Sequence, residues 1–325
     1  MDSIGDSAFY NCSSLEDIDI PRNVSSVGAN AFKGTAMLNY QIANAGPLYY
    51  ADTWVIGSTS GIETIIDGST PIKSGTTGIA DNTFRGCTKL SNVAIPNTVK
   101  YIGDSAFENC GELAIITIPS SVESIGGYAF SNCSRLTTMD IPNNVKNMGN
   151  GVFYNCTKLS EIKLSTSLGA IGISAFEGCK LLTAVDIPAS VASIGDKAFY
   201  GCSGLNTITI NNAKCEIYDS GNTINKTPIT ICGAKGSTAE SYATKYNKTF
   251  KEVSSSGVKG DANGDGVLRA SDAAFIAKKL AEASISGSKV TITAYPNADF
   301  NGDGKITAAD AAAIAKYLAE QSIKK

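Results

Sequence analysis

The sequence of 325 residues contains no histidine. Without an imidazole side chain, it cannot form Ser-His-Asp or Cys-His nucleophile systems, and the common histidine-containing zinc sites are also excluded. Chemistry that needs only carboxylates, such as glycoside hydrolysis, stays open. The absence of histidine therefore narrows the possible enzyme classes without excluding all of them.

Long apolar runs and an excess of positive charge are also missing. The sequence contains no stretch of about 18 apolar residues, which a membrane-spanning helix would need. The formal net charge is −3 and the pI is near 5.2, so no basic face is expected for nucleic acid or an anionic membrane. Met1 precedes a repeat that starts at Ile4, without a signal-peptide pattern or a polar capping repeat. We therefore expect the chain to be a fragment or a mature form of a longer protein.

What the sequence does contain is a repeat of 23 residues. The stretch IGDSAFENCGELAIITIPSSVES recurs with AF, then Cys three residues after the Phe, then LxxIxI, usually Pro, and then IG. A fixed period predicts a solenoid, whose stacked units bury a core together. The LxxIxI segments predict parallel strands about 4.8 Å apart that form one long sheet. The regular copies begin at Ile102, Ile125, Met148, Ile171 and Ile194.

Nine cysteines are present, and seven of them occupy one repeat position. Disulfides or a reactive thiol would be the functional interpretations. We favour a structural interpretation, in which the cysteines stack from turn to turn as a buried ladder. Free Cys is among the most buried residue types, and Thr35 takes the same place in the second repeat. Cys215 and Cys232 lie outside this series, and their spacing does not decide whether they pair. The seven residues of the cysteine ladder are Cys12, Cys87, Cys110, Cys133, Cys156, Cys179 and Cys202.

The repeat is interrupted between residues 36 and 78. This insertion contains LYYADTWVIG, with Tyr49, Tyr50 and the only tryptophan, Trp54, followed by turn-rich segments. The pattern predicts an extruded hairpin. Its clustered aromatic side chains are either contact residues for a partner or side chains that fold back onto the array, and the sequence favours neither interpretation.

The pattern IPxxVxxIGxxAFxxCxxL resembles the BspA-like, or Treponema-type, leucine-rich repeats of bacterial surface proteins. The resemblance covers residues 1 to about 253 and implies a non-catalytic extracellular adhesin or interaction module. The outward positions of the LxxIxI segments are small and polar, without an aromatic stripe or a repeated carboxylate pair. They predict a solvated face, and a face that binds an unknown protein or glycan is the alternative.

We expect the repeat array to span residues 1–212 and a C-terminal cap to span residues 213–253. In the cap, TPITIC and KTFKEV predict strands, and GSTAESYATKYN predicts a helix with Ser237 or Thr238 as its N-cap. Such a cap covers the open end of the core with polar surface. Residues 254–256 then predict a hinge before a C-terminal module of residues 257–325.

Two acidic loops of twelve residues carry the most specific chemistry. Each has the form DxNxDG and ends on Asp, and calcium prefers six to eight oxygen ligands at about 2.3–2.6 Å. Gly266 and Gly304 permit the sharp turn at loop position 6, and Leu268 and Ile306 are expected to pair the loops through the core. Arg269 cannot ligate a cation, so a water is expected at position 9 of the first loop. Two Ca²⁺ ions are therefore predicted, held by Asp261, Asn263, Asp265, the carbonyl of Val267 and Asp272, and by Asp299, Asn301, Asp303, the carbonyl of Lys305 and Asp310.

Each loop is followed by nearly the same helix, DAAFIAKKLAE or DAAAIAKYLAE, so this half-module is duplicated. The closing Asp and the missing entry helix differ from an ordinary EF-hand. Together these features resemble the dockerin of cellulosomal proteins, across residues 257–325. The resemblance implies calcium-dependent binding to a cohesin domain of a scaffoldin, in one or two orientations. It also implies a partner surface on Ala270, Ser271, Ala277, Lys278 and Glu282, and on Ala308, Ala309, Ala315, Lys316 and Glu320.

The sequence thus predicts an α+β, β-rich chain: a leucine-rich-repeat solenoid followed by an all-α dockerin module with two calcium-loop/helix motifs. Its predicted function is that of a non-catalytic, secreted interaction subunit, anchored by the dockerin to a cohesin in a cellulosome or at the cell surface. One alternative is a surface adhesin in which the calcium module is only a stable cap. Another is a fragment of a cellulosomal enzyme whose catalytic domain lies upstream. Neither nucleic acid nor a membrane is an expected partner.

Overall fold

A computed structural model describes residues 2–44, 47–58, 72–224, 228–253, 260–263, 268–286, 289–291, 295 and 297–323. The predicted hinge at 254–256 and residues 59–71 of the predicted insertion lie outside the described residues. The strands are β1 (Ser3–Ile4), β2 (Ser26–Val27), β3 (Leu48–Ala51), β4 (Trp54–Ser58), β5 (Gly78–Ile79), β6 (Tyr101–Ile102), β7 (Ser124–Ile125), β8 (Thr138–Asp140), β9 (Asn147–Met148), β10 (Glu161–Lys163), β11 (Ala170–Ile171), β12 (Ala184–Ile187), β13 (Ser193–Ile194), β14 (Thr207–Ile210), β15 (Glu216–Ile217), β16 (Thr230–Gly233) and β17 (Thr249–Glu252). The helices are α1 (Ala36–Asn44), α2 (Thr238–Lys245), α3 (Ala270–Ser286) and α4 (Ala308–Ile323).

The repeats wind into a solenoid with two β-faces. On one face, the strands formed by the segments around each IG dipeptide are hydrogen-bonded to one another. Their orders are β1-β2, β3-β4-β5-β6-β7-β9 and β11-β13-β15. The LxxIxI segments form the other face, in the orders β8-β10 and β12-β14-β16-β17, so its strands begin at Thr138 within the described residues. The expectation of one long LxxIxI sheet was therefore wrong. The face formed by the IG segments was missed because its strands, most of them two residues long, are too short to show an alternating pattern.

The register between neighbouring turns follows the period of the sequence. Ile79, Ile102, Ile125 and Met148 lie opposite one another along the first face, and all four are buried. The same shift of one repeat pairs β12 with β14 on the other face. Each apolar side chain therefore packs on its own copy in the next turn, and an apolar core runs along the array.

The Phe of each AF pair belongs to a stack inside this core. From Phe84 to Phe199, successive ring centroids lie 4.9–5.7 Å apart with nearly parallel planes. The turn that carries each Phe ends on Asn or Gly with a positive φ, which these two residues adopt more easily than others. This explains why Asn or Gly precedes each ladder position, with φ between 56° and 81° at Asn11, Gly34, Gly86, Asn109, Asn132, Asn155, Gly178 and Gly201.

The buried cysteine ladder is confirmed at six of its seven positions. Five of these thiols donate a hydrogen bond to the Phe carbonyl of the preceding turn, at 3.0–3.3 Å, as Cys133 does to Phe107. Cys12 is exposed, so the prediction was wrong for this residue. It lies in the first described turn, which has no earlier described turn to cover it.

The aromatic hairpin is not extruded. β3 and β4 pair antiparallel, and β4 also pairs in parallel with β5, so the hairpin is part of the solenoid face. Tyr49, Tyr50 and Trp54 are at most 8% exposed. The Trp54 ring covers Gly78, where a Cβ would lie 2.4 Å from it, and stacks on Tyr101 at 6.1 Å. The prediction of an extruded hairpin was wrong, because these aromatic rings bury their large apolar surface in the array.

The cap has the predicted order of elements. β16, α2 and β17 correspond to the strand, helix and strand expected from the sequence. Ser237 is the N-cap, and its hydroxyl accepts a hydrogen bond from the Glu240 N–H at 3.3 Å. Ala239, Tyr242 and Ala243 are buried, so one side of α2 covers the last turns of the core.

The C-terminal helices pack around a small core of their own. Its buried residues are Ala262, Ile276, Ala298, Ile306 and Ile314. They come from both acidic loops and from both helices, so the core joins the two copies of the duplicated motif.

Candidate functional site

Each C-terminal helix begins within the last three residues of an acidic loop. Asp272 and Asp310 lie in the first turns of α3 and α4, where a carboxylate stabilises the helix dipole and the unpaired N–H groups. The residues that follow are mostly strong helix formers such as Ala, Leu and Lys. The duplicated sequence therefore places the two closing carboxylates at equivalent junctions of loop and helix.

Two aromatic contacts lie beside the second loop. Phe275 of α3 meets Tyr295 at 5.4 Å, and Phe300 of the second loop meets Tyr317 of α4 at 5.7 Å, both edge to face. Such pairs stabilise beyond the area they bury. Leu268, the partly buried loop residue expected in the core, packs in the same cluster. The loop framework is thus held by apolar packing beneath its polar ligands.

The second loop curls around its first carboxylate. Oδ1 of Asp299 accepts hydrogen bonds from the N–H groups of Gly302 at 2.7 Å and Asp303 at 3.1 Å. Its Oδ2 accepts from the N–H of Gly304 at 2.9 Å. Gly304 has a φ of +81°, a conformation that favours glycine. The sharp turn expected at loop position 6 is therefore present.

The closing carboxylate of this loop reaches back across it. Asp310 is fully buried, and its Oδ1 accepts from the Asn301 N–H at 3.1 Å while its Oδ2 accepts from the Thr307 N–H at 2.8 Å. Asp303 Oδ1 accepts from the Lys305 N–H at 2.9 Å. Loop positions 1, 3, 5, 7, 9 and 12 are thus tied into one hydrogen-bonded unit.

The first loop repeats this closure wherever it is described. Asp272 is fully buried, and it accepts from the N–H groups of Asn263 at 3.2 Å and Arg269 at 2.7 Å, the same loop positions as in the second loop. Asp261 is 3% exposed. The predicted ligands Asp265 and Val267 lie outside the described residues. Where both loops are described, the duplicated sequence therefore also closes through the same hydrogen bonds.

The chemistry of the second loop fits a hard divalent cation. The carboxylates of Asp299, Asp303 and Asp310, the amide oxygen of Asn301 and the carbonyl of Lys305 are the oxygen donors that calcium prefers. A fully buried carboxylate such as Asp310 is costly without positive charge nearby. Among the described residues, no three His, Cys, Asp or Glu side chains converge on one metal position. The structure thus shows a suitable donor set, without a coordination geometry.

The ten residues that the dockerin resemblance implies for a partner are all exposed. On α3, Lys278 lies 3.9 Å from Glu282, and Lys279 donates to Glu282 at 2.8 Å. The hydrogen bond from Lys279 lowers the pKa of Glu282, yet exposed pairs of this kind stabilise little. The exposed residues are Ala270, Ser271, Ala277, Lys278 and Glu282 on α3, and Ala308, Ala309, Ala315, Lys316 and Glu320 on α4.

Three of the side chains that differ between the two helices make contacts within the module. Phe275 contacts Tyr295 and Tyr317 contacts Phe300. Lys279 has a side chain that is 29% exposed and lies 5.6 Å from the Phe275 ring. Phe275, Lys279 and Tyr317, which differ between the helices, thus pack within the module. The residues implied for the partner are nearly the same on both helices.

The outward surface of the array carries charged side chains among exposed apolar ones such as Ile115 and Leu181. Charged residues on it pair across neighbouring turns, which neutralises charge locally and contributes little stability per pair. The described pairs are Arg85 with Glu108 at 2.9 Å, Lys100 with Glu123 at 3.3 Å, Lys163 with Asp140 at 3.4 Å, and Arg135 with Glu112.

The buried thiols are not activated. Burial raises the pKa of Cys156 and Cys202 to about 12 and that of Cys215 to about 11, so these groups stay protonated at neutral pH. Cys215 and Cys232 are both free in the structure. A packing role therefore accounts for the buried cysteines.

Sequence reasoning missed the aromatic residues that support the loops. Tyr295 and Phe300 flank the start of the second loop, and only their position next to DxNxDG could have drawn attention to them. It also missed the backbone contacts of Asp272 and Asp310, because hydrogen bonds between loop positions 3 and 12 have no signature in the residue pattern.

Comparison with known proteins identifies both parts of the chain. Residues 1–52 and 68–183 match the BspA type leucine rich repeat region in six copies. Residues 259–319 match the dockerin type I domain. No curated protein matches the chain. Within the described ranges, no helix is long and apolar enough to cross a membrane.

Several solved structures are similar to the array. A leucine rich repeat protein of T. pallidum is 24% identical over 62% of this chain and 71% of that chain, with a TM-score of 0.39. A leucine rich cell surface protein from Faecalibacterium prausnitzii A2-165 is 24% identical over 69% of this chain and 79% of that chain, with a TM-score of 0.30. The pneumococcal vaccine antigen PcpA is 16% identical over 78% and 76%, with a TM-score of 0.35.

The family matches, rather than these alignments, carry the assignment. Type I dockerin domains bind calcium and cohesins, and both matched domain types are non-catalytic and typical of secreted or cell-surface proteins. The chain belongs to the BspA-type leucine-rich repeat proteins and carries a C-terminal type I dockerin domain.

Proposed function

We propose that the chain is a non-catalytic extracellular interaction subunit, which its dockerin anchors to a cohesin domain of a scaffoldin. The repeat array would then present its own surface to a protein or glycan. The observation that carries this proposal is the duplicated loop and helix, with equivalent closing carboxylates inside and nearly equivalent residues outside.

Calcium is the proposed cofactor, with one ion in each loop. The second loop would use Asp299, Asn301, Asp303, the Lys305 carbonyl and Asp310. The first would use the residues at the same loop positions. Bound calcium would supply positive charge beside the buried carboxylate of Asp310, and its binding energy would add to the stability of a small core.

The partner surface is proposed to exist twice. Loop positions 10 and 11 and the exposed side of the helix carry small residues, a Lys and a Glu on both α3 and α4. Small side chains allow a partner sheet to approach closely, and the charged pair supports orientation. A rotation of about half a turn would place either helix on the same cohesin surface.

Binding to a panel of cohesin domains tests the function. The full chain is immobilised on a biosensor and exposed to each cohesin in millimolar calcium and again in excess chelator. We expect at least one cohesin to bind in calcium and to be released by the chelator. The double variant Asp272→Asn/Asp310→Asn should lower affinity by more than about tenfold, while Asp186→Asn, an exposed array residue, should leave it unchanged.

The other outcomes favour the alternatives. A chain that binds calcium and no cohesin would support a surface adhesin with a calcium-stabilised cap. Binding that persists in chelator, or that Asp186→Asn weakens as much as the double variant, would contradict a calcium-dependent dockerin interface.

A further inference from the structure

The β-face formed by the IG segments is divided between β9 and β11. β9 ends one sheet and β11 begins the next. The N–H groups of Gly149 and Gly195 each donate to an Ile carbonyl of the preceding turn, at 3.0 and 2.9 Å. The equivalent N–H of Gly172 makes no hydrogen bond with a described residue, and every residue from 72 to 224 is described. The backbone ladder of this face is therefore interrupted at Gly172.

A cleft lies on the same face beside this interruption, and we call it the Tyr218 cleft. Its volume is about 380 Å³, within the range of ligand pockets in proteins. Gly172 and Gly195 are among its lining residues. A Cβ at Gly172 would lie 2.7 Å from Oδ1 of Asn150, and a Cβ at Gly195 would lie 2.7 Å from the backbone nitrogen of Ile173. Both positions therefore require glycine, and backbone forms this part of the cleft.

Two large apolar side chains border the Tyr218 cleft and are exposed. Ile173 is 50% exposed and Tyr218 is 55% exposed. Tyr218 occupies the repeat position that Gly172 and Gly195 occupy in the earlier turns. Its backbone is held in the face, because its N–H donates to the Ile194 carbonyl at 2.9 Å. An aromatic side chain thus stands at the C-terminal end of a cleft that glycines leave open.

Polar groups with unused hydrogen-bonding capacity lie around this apolar surface. The hydroxyls of Ser193 and Tyr218 make no hydrogen bond with a described residue. Asn150 uses Oδ1, which accepts from the Ile173 N–H at 2.8 Å, and its Nδ2 makes no hydrogen bond within the described ranges. Glu216 is exposed and is the one charged residue among those that line the cleft. The lining therefore offers an aromatic ring, hydroxyl and amide groups and one carboxylate, without a cation.

This combination fits a neutral sugar better than other ligands. A pyranose ring carries C–H groups on its faces and hydroxyls around its edge, so it can lie on an aromatic ring while its hydroxyls bond to amide and carboxylate groups. An anionic ligand would be repelled by Glu216, with no lining cation to offset the repulsion. Proline-rich peptides dock in grooves lined by aromatic side chains, whereas Tyr218 is the one aromatic residue of this lining.

We propose that the Tyr218 cleft binds a neutral sugar residue of a glycan. The ring of Tyr218 would stack on the sugar, and the side chains of Asn150, Ser193 and Glu216 would bond to its hydroxyls. The inference rests on the proposed role of the array as a binding surface. It depends neither on calcium nor on the dockerin.

Neutral hexasaccharides are the probes for this site. We would titrate cellohexaose, xylohexaose, mannohexaose and maltohexaose against the full chain, in calcium and in chelator, and follow binding by saturation-transfer difference NMR. A hexagalacturonate and a decaproline peptide represent an anionic glycan and a proline-rich partner. We expect saturable binding of at least one neutral hexasaccharide, unchanged by chelator, and no binding of the other two probes.

Substitutions of Tyr218 separate stacking from hydrogen bonding. Tyr218→Ala removes the ring and should weaken sugar binding by at least about tenfold. Tyr218→Phe keeps the ring and should stay within about threefold of the wild type. Tyr10→Ala, at a tyrosine of the first described turn that is 47% exposed, is the control and should not change binding.

A matched pair of larger side chains tests the position of the site. Ser193→Tyr should fill the cleft and abolish sugar binding. Tyr101 occupies the same repeat position in an earlier turn, so the solenoid accepts a tyrosine there. Ser124→Tyr makes the same change in a turn that does not line the cleft and should leave binding unchanged. Circular dichroism of each variant checks that the fold is kept.

The outcomes distinguish this proposal from that of the dockerin. Cohesin binding, measured on the same samples, should be equal in all variants, and a chain that captures a cohesin and binds none of the neutral hexasaccharides would overturn only the sugar site. Binding of the hexagalacturonate or the peptide in place of a neutral sugar would overturn it too. So would an equal loss in Tyr218→Ala and Tyr10→Ala, or in Ser193→Tyr and Ser124→Tyr.

Discussion

The cysteine ladder offers a quantitative test of how the array is stabilised. Cys133 is fully buried, and its thiol donates to the Phe107 carbonyl at 3.3 Å. The ring of Phe107 stacks on that of Phe130 at 5.4 Å. Changing Cys133 to Ala removes one sulfur atom from this packed interior and leaves the backbone in place.

The cost of Cys133→Ala is set mainly by the cavity. The Phe107 oxygen keeps a second hydrogen bond, from the Cys110 N–H at 3.2 Å, so loss of the weak thiol donor costs little. Lost transfer energy and incomplete collapse of the site together cost about 1–2 kcal/mol. Cys133→Val removes the donor and adds a methyl group, which should cost about as much through crowding.

A third substitution separates packing from hydrogen bonding. Thr35 occupies a ladder position naturally, is fully buried, and donates to the Phe32 carbonyl at 2.8 Å. Cys133→Thr can therefore satisfy its hydroxyl and should cost less than Cys133→Val, which has nearly the same shape. Cys12→Ala, at the exposed end of the series, should leave stability unchanged.

Urea unfolding followed by circular dichroism measures these free energies. If the cysteines serve packing, Cys133→Ala should lower the free energy of unfolding and Cys12→Ala should not. It also predicts slow reaction of the folded chain with thiol reagents at the buried positions, because burial raises the pKa of Cys133 well above its usual range. Equal stability of the Cys133→Ala variant and the wild type, or rapid labelling of several buried thiols, would refute the reasoning.

Three further predictions follow from the charges. Burial raises the pKa of Asp81 from 3.8 to about 6, so the free energy of unfolding of the wild type should fall as the pH rises through this window. Thermal melts at pH 7 should show the Asp81→Asn variant more stable than the wild type. Because Asp81 is only half-buried, we expect a difference of about 1 kcal/mol. Calcium should raise the helix content of the C-terminal module, measured by circular dichroism, and Asp261→Ala and Asp299→Ala should each reduce that increase. A wild-type module whose helix content does not change with calcium would contradict a calcium site. In calorimetric titration with a cohesin, Lys278→Glu and Lys316→Glu should each cost little affinity and the double variant should not bind; loss of binding in one single variant would show one orientation.

Features that repeat in each turn were predictable from the sequence. The 23-residue period fixes which side chains stack, because every interior position meets its own copy in the next turn. It therefore indicated most of the cysteine ladder. Local chemistry also sufficed at the cap, where Ser237 precedes a helical segment with Glu240 three residues later.

Features that depend on contacts between dissimilar segments were not predictable. The burial of Trp54 follows from Gly78, which leaves room for its ring in the next strand, and no local pattern connects the two. The β-face of the IG segments consists largely of two-residue strands, whose pairing depends on the winding of the whole turn.

In the C-terminal module, the sequence indicated which residues supply oxygen and could not indicate how the loops close. The pattern DxNxDG with a closing Asp defines the donor set. The contacts of Asp310 with the N–H groups of Asn301 and Thr307 depend on backbone conformations that many residue patterns share. The ligand positions and the partner surface therefore remain predictions that measurement must test.

Native mass spectrometry of the full chain with a cohesin that it captures tests the central claim most directly. The account predicts a complex of one chain, one cohesin and two calcium ions, which dissociates when the calcium is removed. A complex that keeps its cohesin after complete removal of calcium would contradict a calcium-dependent dockerin as the anchor of this chain.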